Sequence, residues 1–218
     1  MSFLNWFERL VAEIDHFFSG RREFRMTLSP FSLNREKVVS DPIIGKKILD
    51  EVRETISSEY SVTVLSPVVL ELIRNRNGHE LRFEWGYDEV GKYHSQRMIN
   101  EKYHMIYVIS GLPSKRFRAI CAHELMHAYL YERRLFTDNQ ALREAMARWM
   151  EYKILKRLGA KKDMEHLSEI RTLKFGSGFR KVLEAEGRIR GGTPLVEWLR
   201  SNREESERLR EEILAMGR

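Results

Sequence analysis

The run Phe117–Tyr131 constrains this chain more than any other stretch. Phe117, Ala119, Ile120, Ala122, Leu125, Met126, Ala128 and Leu130 place apolar side chains nearly all round a helix, which marks a buried helix rather than a one-sided surface one. Yet the same run carries His123, Glu124 and His127. Burying two imidazoles and a carboxylate is costly unless something satisfies them. Residues four apart lie one above the other on a helix, so both rings can converge on a single tetrahedral ion. Glu124 falls about 100° round from His123, where it can reach a water beside such an ion without ligating it. The bland alternative gives both histidines backbone partners in the core and leaves Glu124 at the surface. Cys121 lies two positions before His123, on nearly the opposite face, and reads as a small buried hydrophobe.

A catalytic zinc site needs a third protein ligand and one open position. The sixth residue after His127, where a metzincin would place a histidine, is Arg133. The next helical stretch offers Glu144, flanked by Ala141, Ala145 and Ala147, whose small side chains allow two helices to approach closely. The interval from His127 is long enough to end one helix, turn at Thr137-Asp138-Asn139 and begin another. Glu132 and Glu151 are rival third ligands, and an ordinary solvated glutamate is the bland reading of Glu144.

Composition narrows the classes. One cysteine in 218 residues excludes an intramolecular disulfide and every zinc module built on thiolate clusters. The excess of 38 Lys and Arg over 32 Asp and Glu gives +6. Its basic clusters, Arg21-Arg22, Lys115-Arg116 and Lys161-Lys162, are too short and scattered for a nucleic-acid footprint. No nucleic acid is expected as a partner. No apolar run is long enough to span a membrane. The apolar N-terminal positions Phe3, Leu4, Trp6, Phe7, Leu10 and Val11 are interrupted by Glu8, Arg9, Glu13 and Asp15, unlike a signal peptide. A cytoplasmic protein with no membrane association is the expectation, its oligomeric state unspecified.

Along the chain, residues 2–19 read as an amphipathic helix stopped by Gly20, the first part of a unit at 1–39 packed on the core. The main domain spans 40–218. Ser40-Asp41-Pro42 opens a helix running to about Ser58. Tyr60–Leu65 alternates like a strand, and Ser66-Pro67 reads as the start of a short helix ending near Gly78. Glu80–Gly86 and Lys92–Asn100 read as strands around a turn at Asp88–Gly91, with Tyr103–Ser110 a further strand that would bury Met105, Tyr107 and Ile109 or offer a sheet edge to an extended substrate. From Ser114 onward the pattern is helical. Gly176-Ser177-Gly178 reads as a loop before a helix, and Arg200–Arg218 as a surface helix. The class is α+β: a small, mostly antiparallel sheet and a mainly helical C-terminal half.

Gly111-Leu112-Pro113, Ala122-His123-Glu124-Leu125-Met126-His127-Ala128, Glu144 and Gly176-Ser177-Gly178-Phe179-Arg180 together resemble the peptidase domain of the "DA-one" family, plant ubiquitin-activated zinc metallopeptidases of the gluzincin type. The resemblance covers about 103–200, the active-site half. It implies a zincin-like domain at 40–218, with His123, His127 and Glu144 as ligands of one zinc ion and Glu124 as general base. Arg143 and Ala145 stand where the family has an acidic residue and a glycine, and Phe175 replaces its tyrosine. The chain lacks the cysteines for the family's LIM modules, so a peptidase core without ubiquitin dependence is implied. The expected activity is hydrolysis of protein or peptide substrates, with Arg180, His166 or Tyr152 as oxyanion donor. The alternatives are a regulatory metallopeptidase that cuts a DNA-bound repressor, and a binding module whose metal is not catalytic.

Overall fold

A computed structural model describes residues 37–73, 91–98, 101–136, 139–169, 176–189 and 193–215. The helix expected at 2–19, the strand at Glu80–Gly86 and most of the turn at Asp88–Gly91 lie outside these residues.

Helix α1 (Pro42–Tyr60) forms for the local reasons its sequence supplies. The Asp41 carboxylate accepts from the backbone N–H of Ile43 at 2.7 Å, and Pro42 opens the first turn. Ile48, Leu49, Val52 and Ile56 then recur on one buried face. Ser61, at φ 57°, ends the helix. Beyond it the expected strand at Tyr60–Leu65 does not form. Val62 and Val64 are buried and Thr63 and Leu65 exposed, so the alternation is real. It reports one-sided burial without a partner strand. The Arg53 guanidinium fastens the segment instead, donating to the carbonyls of Val64 (2.6 Å) and Ser66 (3.2 Å).

Ser66-Pro67 does not start a helix. Strand β2 (Val68–Ile73) follows, because a run rich in β-branched residues favours the pleated backbone and a proline just outside a strand removes no ladder bond. Short β1 (Val38–Val39) precedes α1; β3 (Gly91–Met98), β4 (Glu101–Ile109) and β5 (Leu112–Pro113) complete the strands. The larger sheet has the order β2–β4–β3. β2 runs parallel to β4, with Val68 opposite His104 and Ile73 opposite Ile109. β3 runs antiparallel, with Gly91 opposite Val108. β1 and β5 form a separate antiparallel pair. Two of the three strand pairings among the described residues are antiparallel, in line with the mostly antiparallel expectation; the β2–β4 pairing is parallel. β4 is the central strand of the larger sheet, hydrogen-bonded on both sides, and has no edge for a substrate. Its burial differs as well: His104, Ile106, Tyr107 and Val108 are buried, while Met105 and Ile109 are half-buried. Consecutive burial is the mark of a strand covered on both faces.

Gly111, at φ 91°, turns the chain out of β4, a conformation that L side chains rarely adopt. Leu112 is buried, and Pro113 leads into α2 (Ser114–Glu132), which contains the run Phe117–Tyr131. α2 is buried nearly all round, packed against α1, the strands and the next helix. The helical half follows: α3 (Gln140–Arg157), α4 (Lys161–Glu169), α5 (Gly176–Gly187), α6 (Leu195–Ser201) and α7 (Arg203–Ala215). Asn139 caps α3 by accepting from Leu142 N at 2.9 Å. The glycines at 176 and 178 thus lie inside the first turn of α5 rather than in a loop before it. A Cβ on Gly178 would sit 3.2 Å from that of Ala145, so α5 lies close on α3. Glu186 adds polar ties, accepting from Trp149 Nε1 (3.1 Å) and Lys153 Nζ (2.9 Å). α7 docks through buried Leu209 and Ile213 while Leu214 stays exposed. Among the described residues no helix is long and apolar enough to cross a membrane.

Candidate metal centre

α2 and α3 are neighbours in sequence joined by a short connection, and they lie antiparallel: Glu144 meets both His127 and His123, whereas Glu151, two turns further along α3, meets His123. The turn residues Thr137 and Asp138 lie outside the described residues. His123 and His127 project from α2 with their Nε2 atoms 3.2 Å apart. Glu144 Oε2 is 3.6 Å from His123 Nε2, and Glu144 Oε1 is 3.5 Å from His127 Nε2. A tetrahedral zinc with bonds of about 2.0–2.1 Å sets its ligand atoms about 3.3–3.4 Å apart. Donor types and spacing therefore both fit one small divalent cation. The three side chains retain 12–20% exposure, which leaves the cluster open on one side.

Glu124 is buried, at 5% exposure, so the reading that puts it at the surface does not hold. Burial raises its pKa above the ordinary carboxylate value, against the opposing pull of His123 and His127. Burial works against a charged His123, but hydrogen bonds to Glu144 and Glu151 outweigh it and lift the ring to about 10. Burial likewise opposes ionising Glu144, and the two histidines overcome it, holding that carboxyl well below its usual range. A proton and a cation compete for the same imidazole nitrogen. Cys121 is buried with its thiol pushed up by desolvation, as a packing residue should be.

The rival ligands go elsewhere. Glu132 accepts from the backbone N–H of Leu65 (2.8 Å) and Ser66 (2.7 Å) and from His104 Nε2 (2.9 Å). It anchors the segment between α1 and β2 and, among the described residues, belongs to no cluster that could hold a metal. Glu151 is buried at 1% exposure and reaches the far side of the His123 ring, with Oε2 3.2 Å from Nδ1. It stands behind His123, on the side of the ring away from Glu144. A sequence signal for this existed: seven residues after Glu144 falls on the same helix face. Nothing local announced the His104–Glu132 contact. Of the expected oxyanion donors, Tyr152 packs its ring at a tilt against Phe179, with centroids 5.5 Å apart. Arg180 is exposed on α5, and no hydrogen bond or ion pair among the described residues joins it to the cluster. His166 lies on α4 with its side chain outside the description. In comparisons with protein-family models, curated proteins and solved structures, nothing matches this chain.

Proposed function

We propose that the protein is a zinc-dependent metallopeptidase with a zincin-like fold, hydrolysing protein or peptide substrates. The observation that carries the reading is the meeting of His123 Nε2, His127 Nε2 and the Glu144 carboxylate at 3.2–3.6 Å from one another. Two imidazoles and one carboxylate on one open face form the ligand set of catalytic zinc, with a fourth position left for solvent or substrate. The motif set shared with the "DA-one" peptidases supports the same assignment. A cytoplasmic site of action belongs to the proposal.

A zinc ion bound there would polarise a scissile carbonyl and bring the pKa of a water toward neutrality. The remaining chemistry falls to side chains of this chain. Glu124 takes the proton of the attacking water on its carboxylate and delivers it to the leaving nitrogen. Burial suits it to both tasks, because a carboxyl with a raised pKa holds a transferred proton better than a solvated one. His123 and His127 fix the centre to a helix buried on most sides, so the ligand positions move little.

The test is direct. Purified protein should carry close to one zinc per chain, and Glu124→Gln should lower cleavage of an unfolded protein substrate at least about a hundredfold while keeping the metal. Cleavage that survives the substitution would remove Glu124 from its role, and protein that takes up no zinc would end the reading.

A further inference from the structure

We infer that Glu151 is a positioning residue, holding the His123 ring in the orientation and tautomer that present Nε2 to the metal. The inference rests on the proposed zinc centre and goes beyond it, because Glu151 is not itself one of the proposed ligands. A neutral imidazole has one N–H and one lone pair. Glu151 Oε2, 3.2 Å from His123 Nδ1, takes the N–H on that side, so the lone pair falls on Nε2, the atom that faces His127 and Glu144. Burial adds a second argument. At 1% exposure Glu151 has exchanged water for the hydrogen bond to His123, and among the described residues its other oxygen, Oε1, is buried without a hydrogen-bond partner. A carboxylate kept there at such a cost is better explained by the ring it steers than by what it adds to the fold. Glu144 and Glu151 share a face of α3, so the helix that carries the third ligand also aligns the first.

Glu151→Gln and Glu151→Ala in the full chain test this by zinc affinity, measured by chelator competition at fixed pH, and by the visible spectrum of the cobalt(II)-loaded protein. The expected result is zinc binding weakened about tenfold in Glu151→Gln and by ten to a hundredfold in Glu151→Ala. An altered cobalt ligand-field band should accompany this, and the metal-free Glu151→Gln protein should unfold as cooperatively as wild type. If Glu151→Ala does not fold, Glu151→Gln decides. Wild-type zinc affinity and an unchanged cobalt spectrum in the variants would overturn the role of Glu151 alone. Wild-type protein that binds no zinc would overturn the metal centre and, with it, this inference.

Discussion

Among the described residues imidazole and carboxylate from distant positions meet at two places, with opposite results. At one place His104 Nε2 donates to Glu132, which also accepts from two backbone N–H groups. Every partner is a protein donor, His104 is 1% exposed, and the group works as a peg joining the end of α2 to the segment before β2. At the other, the Nε2 atoms of His123 and His127 face each other across 3.2 Å with the Glu144 oxygens nearby, on a side open to solvent. Residue type does not separate the two. Saturation does: the first cluster closes its hydrogen bonds within the protein, whereas the second gathers two ring nitrogens and a carboxylate round one partly open point.

Breaking the second cluster should give the largest effect. His127→Ala should drop bound zinc from about one per chain to near zero and abolish cleavage, checked by metal analysis and a peptide assay, while leaving the His104–Glu132 peg intact. The reciprocal change, Glu132→Ala, should cost about 2 kcal/mol in denaturant unfolding, because it removes the carboxylate that the part-buried Ser66 N–H and the buried His104 ring both bond. Its zinc affinity should stay at the wild-type value. A weakened metal site in that variant would show that the two clusters are coupled.

Acid sharpens the contrast. Burial tends to raise the Glu132 pKa, but its bonds to Leu65, Ser66 and His104 prevail and lower it. A carboxyl with a depressed folded pKa contributes stability that is present above its unfolded value, about 4.3, and is lost as pH falls through the folded value. Glu132→Gln should therefore flatten the loss of stability below about pH 4.3, read from urea midpoints across pH. The smallest effect is expected at Gly178→Ala. Its new Cβ at 3.2 Å from Ala145 presses α5 against α3, while the gain in helix propensity of about 1 kcal/mol offsets the crowding. Melting should shift by only a few degrees, with zinc affinity unchanged.

What could be read from the sequence was what local spacing decides. The cap at Asp41, the face of α1 and the two histidines one turn apart on α2 follow from contacts within a few residues. Glu144 was legible because small neighbours and a short connection limit where the next helix can lie. Pairing across the chain was not legible. Nothing in Val68–Ile73 says that β2 lies parallel to β4, and nothing in Tyr103–Ser110 says that β4 is central, so an edge was expected where the ladder is occupied on both sides. Glu132 and Glu151 looked alike as spare carboxylates; only the partners that tertiary structure supplies tell a peg from a ring-holder.

The antiparallel arrangement of α2 and α3 has a consequence for how the centre comes into being. His123, Glu124, His127, Glu144 and Glu151 all belong to one pair of consecutive helices, so bringing them together closes only a short stretch of chain and costs little entropy. A cation would act as a clasp on that hairpin, tightening the very crossing that creates its own berth.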